Sequence, residues 1–493
     1  MRSAITRLSL VPLILVLSRV PSSAATDQAR GSSPEVILAT MQKVADWQLA
    51  HPSRHPTWDW TQAAFYTGMT ALMDVTDEPR FEEAMRKMAE ANQWRPGLRP
   101  GHADDYAVIA TYARLFENDR TASNLAPSRA LFDYLVRYPY SESLVWGNAI
   151  ETRELSWCDA LFMGPPPLAA MTNATGDRNY LDLANKLWWK TTDYLYDKEE
   201  RLYFRDSNYF EPREPNGKKI FWSRGNGWVF SGLARMLQEM PEDYPDRLRY
   251  VTLFREMAEK VSEVQGDDGY WRSSLLDPTS RPNPETSGTG FFVHGLAWGV
   301  NRGILDRPRF LPHIQKGWAA LLAALHEDGK LGWVQRIGAA PGTTGADETE
   351  VYGVGAFLLA GSEMLKLGLL EGGTAMVLVA TSDLGEARFD ETIEVDWKLV
   401  AKRLGATTSD PIFVFESRSG RMLPHQLSGA SGGGVPDRLL FRSSFLSREK
   451  RTFEIRKLAR AWKRNYGRSA GQWEARLHPE TRQATSPVRI EVR

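Results

Sequence analysis

Trp222-Ser223-Arg224-Gly225-Asn226-Gly227-Trp228-Val229-Phe230-Ser231-Gly232-Leu233-Ala234 is a polar, glycine-containing opening that runs directly into an apolar, small-residue segment. A helix that is apolar on nearly every side is buried, not amphipathic. The same grammar recurs along the chain. Polar openings stand at Trp58-Asp59-Trp60, His102-Ala103-Asp104-Asp105-Tyr106, Trp157-Cys158-Asp159, Glu285-Thr286-Ser287-Gly288-Thr289-Gly290 and Asp347-Glu348-Thr349-Glu350. Together they make six, spaced roughly fifty to sixty residues apart, as in stacked supersecondary units. A more charged segment precedes each buried one; that at 81–91 carries Glu82, Glu83, Arg86, Lys87 and Glu90. Six buried and six surface helices over 33–370 predict an (α/α)6 barrel. A helical solenoid is the alternative, but the count of six and the want of a polar capping repeat favour closure. The six openings then meet at one end of the inner ring, where a rigid scaffold can position functional side chains.

The composition changes after about Gly372. Met376-Val377-Leu378-Val379-Ala380, Thr392-Ile393-Glu394-Val395-Asp396-Trp397, Pro411-Ile412-Phe413-Val414-Phe415 and Thr452-Phe453-Glu454-Ile455 are strand-like. Loops rich in Gly, Ser and Pro, such as 428–436, separate them. These features predict a small β-rich accessory domain over 373–457. The remainder, 458–493, reads as a basic tail with Arg460, Lys463, Arg464 and Arg468, a solvated face or frayed terminus rather than a binding arm.

The chain has 493 residues, and 61 Lys plus Arg balance 61 Asp plus Glu. That neutrality gives no reason to expect a nucleic-acid partner. At the start, Arg2 and Arg7 precede an apolar run over 8–17, and Ser23-Ala24-Ala25 offers small residues for cleavage. This predicts a signal peptide over 1–25 and export to a periplasm or the exterior, with no membrane attachment afterwards. An uncleaved anchor is the alternative, disfavoured by the short apolar run. Cys158 is the single cysteine, so no disulfide forms within the chain. Eight scattered histidines without an HExxH motif argue against a zinc site, and no metal or other cofactor is expected. The 17 tryptophans suit a surface that stacks sugar rings, although core packing accounts for most individual cases.

The stretch Trp157-Cys158-Asp159-Ala160-Leu161-Phe162-Met163-Gly164-Pro165-Pro166-Pro167-Leu168 places one carboxylate in an apolar, aromatic setting. Burial disfavours the charged carboxylate and raises its pKa. A carboxylic acid kept protonated near neutrality is what general acid catalysis requires. The plainer reading of Asp159 is a helix N-cap. Arg224 offers a bidentate fork for a carboxylate, and Trp222 and Trp228 offer flat faces for a pyranose. A salt bridge within the barrel mouth is the other use for Arg224. Asn226, between two glycines, is expected to hold a left-handed backbone.

From Glu154 to about Lys366 the chain resembles the unsaturated glucuronyl and rhamnogalacturonyl hydrolases of glycoside hydrolase families 88 and 105, family 105 in particular. The resemblance lies in WCDALFMGPP at 157–166, LYFRDSNYF at 202–210, WSRGNGW at 222–228, DGYWRSSLLDP at 268–278 and ETSGTGFF at 285–292, with HADDYA at 102–107. It implies a cofactor-free hydrolase whose partner is an oligosaccharide substrate ending in a 4,5-unsaturated uronic acid, the product of a polysaccharide lyase. It implies vinyl-ether hydration, with Asp159 as the acid and also the base, and Asp104 or Asp105 as the second carboxylate. It further implies substrate contacts from Trp157, Arg205, Trp222, Arg224, Trp228 and Glu285. Family members often carry His where this chain has Arg205-Asp206. Arg205 is then a candidate reader of a further anion, a sulfate or second carboxylate; a surface pair with Asp206 is the alternative. Two other classes remain in view: a conventional inverting (α/α)6 glycosidase and a non-catalytic glycan-binding protein. The parent polysaccharide, the role of the β-rich domain and the oligomeric state are left open.

Overall fold

Among the described residues, twelve helices of more than one turn run in hairpins between Pro34 and Leu369. The computed structural model describes residues 33–147, 154–429, 436–459, 462 and 488–492. The expected signal peptide and the basic residues Arg460, Lys463, Arg464 and Arg468 lie outside the described residues. The helices are α1 (Pro34–Ala50), α2 (Trp60–Met73), α3 (Pro79–Ala91), α4 (Ile109–Asp119), α5 (Ala122–Arg137), α6 (Pro165–Thr175), α7 (Arg178–Leu195), α8 (Ser223–Glu239), α9 (Arg247–Glu263), α10 (Thr286–Asn301), α11 (Arg307–Ala323) and α12 (Val351–Leu369).

Odd-numbered helices bury one stripe. In α3 that stripe is Phe81, Met85, Met88 and Ala89, with the helical spacing of an amphipathic element. Most even-numbered helices are buried nearly all round; α12 leaves only Gly368 outside the buried class, whereas α4 buries one side, Ile109, Thr111, Tyr112, Ala113 and Leu115. The even helices form a ring in the order α2, α4, α6, α8, α10, α12, and α12 packs back on α2. At that closure a Cβ on Gly355 would lie 2.3 Å from the carbonyl oxygen of Ala64, and one on Gly68 would lie 2.5 Å from that of Gly355. Only glycine permits this backbone approach. Ring closure makes the helical region an (α/α)6 barrel, not a solenoid.

All six openings precede an inner helix, so they share one end of the barrel. Asp59 caps α2, accepting from the Thr61 amide at 2.9 Å. Two openings add a single helical turn, Ala103–Tyr106 before α4 and Ala160–Met163 before α6. Pro165, Pro166 and Pro167 fill the first turn of α6, where a missing N–H costs nothing. A short hairpin, β1 (Tyr196–Asp197) and β2 (Leu202–Tyr203), follows α7.

Beyond α12 come β3 (Thr374–Ser382), β4 (Arg388–Asp396), α13 (Trp397–Leu404), β5 (Ile412–Glu416), β6 (Met422–Leu423), β7 (His425–Ser428), β8 (Arg438–Phe445), β9 (Lys450–Lys457) and β10 (Val488–Val492). They form a five-stranded sheet, β10-β3-β9-β5-β6, and a three-stranded sheet, β4-β8-β7. The expected β-rich region is present, but its limits differ. The stretch read as a tail returns to the sheet: β10 pairs antiparallel with β3, Ile490 opposite Ala380. Its charged residues mask the strand pattern, because β10 is an edge strand that leaves Arg489 and Glu491 toward solvent.

The period of two in β5 serves two cores. Ile412 and Val414 face the second sheet, whereas Phe413 and Phe415 join the core of the barrel. The β-rich region thereby covers the barrel end opposite the openings. Arg421 reaches Glu117 at 2.7 Å and Asp74 at 3.5 Å, both at the C-terminal ends of inner elements. A polar cavity of about 130 Å³ remains beneath it. Among the described residues no helix is long and apolar enough to cross a membrane.

Candidate active site

Six openings bring six sets of charged side chains to one mouth, and hydrogen bonding sorts them. Asp59 is spent on its cap. Glu285, fully buried, caps α10 by accepting from the amides of Ser287 at 3.0 Å and Gly288 at 2.7 Å, and it also accepts from Gln335 N. Asp105 is buried and paired with Arg99, which donates from Nε at 2.9 Å and from its backbone amide at 2.7 Å. Asp104, the neighbour left open as an alternative in the sequence, has no such arginine; Nδ1 of His102 lies 3.8 Å from its carboxylate and accepts from its amide at 3.4 Å. Of the two, Asp104 is thus the carboxylate not held by an arginine, and Asp105 is the one tied to Arg99.

Asp159 precedes the turn Ala160–Met163, yet its side chain makes no capping hydrogen bond. The plainer reading as an N-cap does not describe it. Its carboxylate accepts a weak hydrogen bond from Cys158 Sγ at 3.5 Å and lies 3.8 Å from Nε of Arg205. The side chain keeps 14% of its exposure, so it lines the mouth without standing in bulk water.

Burial raises both carboxylates. Burial and the negative charge of Asp159 push Asp104 up to about 8, against the opposing pull of Arg99; Asp59 and Asp105 add to the rise. Burial also raises Asp159, where the cations Arg205 and Arg224 oppose it. Two raised carboxylates in one mouth are candidates for the acid and the base. The sequence reading takes Asp159 as the acid and also the base; Asp104, at about 8, is a second candidate for the proton.

The other expected contacts divide into mouth and wall. Trp157 is nearly buried, its ring 5.0 Å from His102 and 6.0 Å from Trp146. Arg205 pairs with Asp206 and stacks 4.2 Å from the Trp146 ring. Arg224 has no exposed surface. It donates from Nη1 to the carbonyl of Gln335 at 2.6 Å and from Nη2 to that of Arg336 at 3.0 Å, sandwiched between Trp222 and Tyr352. Trp222 donates its indole N–H to Gln335 Oε1 at 2.8 Å. Trp228 is fully buried against Phe162 and Phe291 and presents no face to the mouth. Asn226 is helical, not left-handed, because the whole RGNG segment lies inside α8. Its amide clamps β2 instead, accepting from Tyr203 N at 2.7 Å and donating to Tyr203 O at 3.0 Å.

Two residues of the mouth escaped the sequence reading. Gln335 gathers Trp222, Ser273 and Arg224 into one network. Glu350 leads into α12 without capping it, half-buried, with burial raising its pKa against the pull of His55, Arg224 and Arg336. The signal for Glu350 was its place in the sixth opening. Gln335 had none, since it lies in a loop between elements. Among the described residues no group of three or more His, Cys, Asp or Glu is placed to hold a metal ion.

A closed (α/α)6 ring with a buried carboxylate pair in its mouth defines a glycoside-hydrolase type of site. The chain belongs to Glycosyl Hydrolase Family 88, whose family model matches residues 34–368. A second model, a domain of unknown function (DUF4861), matches residues 380–490. The chain is 42% identical over 350 residues to an unsaturated 3S-rhamnoglycuronyl hydrolase of Formosa agariphila, covering 69% of this chain and 93% of that one. Among solved structures it matches a glycosyl hydrolase family 88 protein from Bacteroides vulgatus with TM-score 0.62 and 31% identity, over 68% of this chain and 99% of that one. It also matches a protein described as a polysaccharide lyase with TM-score 0.62 and 34% identity, over 67% of this chain and 97% of that one.

Proposed function

We propose that the protein removes a 4,5-unsaturated uronic acid from the non-reducing end of lyase-made oligosaccharides, and that the adjoining sugar is a rhamnose sulfated at O3. The observation that carries the reaction is the pair Asp104 and Asp159 in the same mouth, both raised by burial, Asp104 to about 8. The sugar assignment takes its support from the 3S-rhamnoglycuronyl relative, which this chain covers nearly end to end.

On this reading Asp104 gives its proton to C4 of the C4=C5 bond. The π electrons form the new C–H bond, and the ring oxygen stabilises the cation left at C5. Water adds at C5 and its proton passes to Asp159. The resulting hemiketal opens, and the bond from C1 to the leaving sugar breaks. General acid–base help of this kind contributes about 10²–10⁴ in rate. Trp157 and the rim around Glu350 bound the sugar, while Trp222, Arg224 and Glu285 hold the wall behind it. Export directed by residues 1–25 is part of the same proposal, its support being the charged, apolar and small-residue succession there. The amino-terminal sequence of the secreted protein tests it.

The test of activity uses unsaturated oligosaccharides with and without the sulfate, beside saturated counterparts. Ultraviolet absorbance of the alkene is expected to disappear, fastest with the sulfated compound, and saturated compounds to remain intact. Cleavage of saturated compounds at a similar rate overturns the reading in favour of a conventional glycosidase. The structural neighbour described as a polysaccharide lyase motivates a second arm: absorbance that grows on intact polymer would mean elimination instead.

A further inference from the structure

We propose that the polar cavity at the covered end of the barrel binds a small oxyanion, of the class of sulfate, phosphate or formate, with Arg235 as its principal contact. This second site stands apart from the mouth and is independent of the reaction proposed there.

The cavity lies between the later turns of the inner helices and the β-rich region. Every lysine and arginine that lines it is matched by an acid, except one. Arg114 reaches Asp74 at 2.6 Å, Arg421 reaches Glu117 at 2.7 Å, and Lys366 reaches Glu363 at 2.6 Å. Arg418 and Arg451, from the β-rich region, reach Glu449 at 3.1 and 3.0 Å. Arg235 makes no ion pair among the described residues.

The direction of its side chain explains why. Helical side chains lean toward the N-terminus of their helix. Arg235 therefore points away from Glu239, one turn further along α8, and toward the turn Ala160–Met163. There its Nη1 donates to the Phe162 carbonyl at 2.8 Å, and the guanidinium carbon lies 4.3 Å from the centre of the Phe162 ring. Glu239 is engaged elsewhere, accepting from the Asn173 side chain at 2.6 Å. The Nε and Nη2 atoms of Arg235 have no partner among the described residues and are not closed off by packing, although the residue as a whole is only 8% exposed.

Nε–H and Nη2–H leave one edge of a guanidinium side by side. That edge is a rigid two-donor fork, matched to two oxygens of a single oxyanion. A halide, with one centre, uses the fork less well. His294 lines the same cavity and holds Ser231 Oγ at 2.9 Å through Nδ1, which leaves Nε2 for a ligand. A buried cation without an acid bears its desolvation cost uncompensated, and an anion on the fork offsets that cost. Burial accordingly pulls Arg235 down to about 10, with Glu239 pulling the other way. The negative partial charge of helix C-termini, which would repel an anion, fades within the last turn. The guanidinium stands beyond that turn, beside Phe162.

The experiment has two readouts on the full chain. Isothermal titration with sodium sulfate, phosphate and formate, in a chloride background of constant ionic strength, compares wild type with Arg235→Gln, Arg235→Lys and Arg205→Gln. Crystals soaked in selenate, a sulfate analogue, locate the anion by anomalous scattering. One saturable site per chain is expected for at least one of the three anions, and the anion that binds tells a tetrahedral ligand from a planar carboxylate. Affinity is expected to fall about tenfold or more in Arg235→Gln and less in Arg235→Lys, which keeps the charge but not the fork. The selenium peak is expected within hydrogen-bond reach of Nε and Nη2. If Arg235→Gln does not fold, Arg235→Lys and the wild-type soak carry the test. Absence of saturable binding overturns the proposal, whatever density the crystal shows, as does water alone on the fork. Binding lost in Arg205→Gln and kept in Arg235→Gln places the anion in the mouth and overturns it equally.

Discussion

Arg224 Nη1 and the carbonyl oxygen of Gln335 lie 2.6 Å apart across 111 positions of sequence. The motif that looked like a carboxylate fork is the tie that holds the 335–336 backbone across the ring. Arg224→Ala takes the guanidinium donor from both carbonyls, leaving that of Gln335 with the Tyr352 hydroxyl alone and that of Arg336 without it. Hydrogen bonds from a charged donor contribute about 1.5–3 kcal/mol each, so thermal denaturation is expected to show a loss of about 3 kcal/mol or more. Arg224→Lys recovers only part, since an ammonium does not reproduce the planar fork. An Arg224→Ala protein with unchanged melting and a raised KM would return Arg224 to the substrate.

Asp104→Asn and Asp159→Asn are expected to lower kcat by about 10²–10⁴ with substrate affinity preserved within a few-fold. Steady-state kinetics and calorimetric titration of the inactive proteins separate the two effects. Asp105→Asn is expected to behave differently, lowering stability by unpairing Arg99 while most of kcat survives. Equal losses of kcat at 104 and 105 would erase the distinction drawn between them.

The raised carboxyl of Asp104 carries a signed pH dependence. As the acid it must be protonated, so kcat/KM is expected to fall as pH rises through about 8. Stability follows the same direction. Folding lifts this group from its ordinary 3.8 to about 8, so the native state binds more protons than the unfolded chain within that window. The contribution of Asp104 to stability therefore declines as pH rises across it. Urea unfolding of wild type and Asp104→Asn at about pH 6 and about pH 9 checks the sign, the variant losing less between them.

Gly355→Ala forces a methyl group to within 2.3 Å of the Ala64 carbonyl at the seam where the ring closes. Backbone on both sides leaves nothing flexible to yield. Overpacking in a core costs about 1–3 kcal/mol, and a helix-to-helix clash sits at the upper end or beyond. The expected result is a lowered melting temperature or insoluble protein; unchanged melting would mean the seam is looser than described.

At the opposite end, Arg421 joins the β-rich region to Asp74 and Glu117. Burial raises both acids, but Arg114 and Arg421 outweigh it and hold them below the ordinary carboxylate range. Depressed carboxylates contribute stability above their unfolded pKa values, and that contribution is lost as pH falls through the folded ones. Arg421→Gln is expected to cost about 1–3 kcal/mol near neutrality and to flatten the acid branch of the stability curve. Denaturant titrations at a series of pH values read both.

The sequence by itself determined the (α/α)6 ring and the β-rich addition, and it singled out Asp159 as the candidate acid. Those readings are written in local pattern: six largely apolar segments, alternation after 372, and one acid among aromatic residues. Only the tertiary structure decided which members of the openings are free to act. Asp104 and Asp105 are adjacent and identical, and what separates them is a cation placed by the loop before them. Arg224, Glu285 and Asn226 were legible as special residues but not as structural ones, because their partners at Gln335, the α10 amides and Tyr203 are set by packing. β10 was hidden because an edge strand buries too little to show a pattern. A side chain's charge state and hydrogen-bond partner depend on what other elements bring beside it, and that is set when the ring closes.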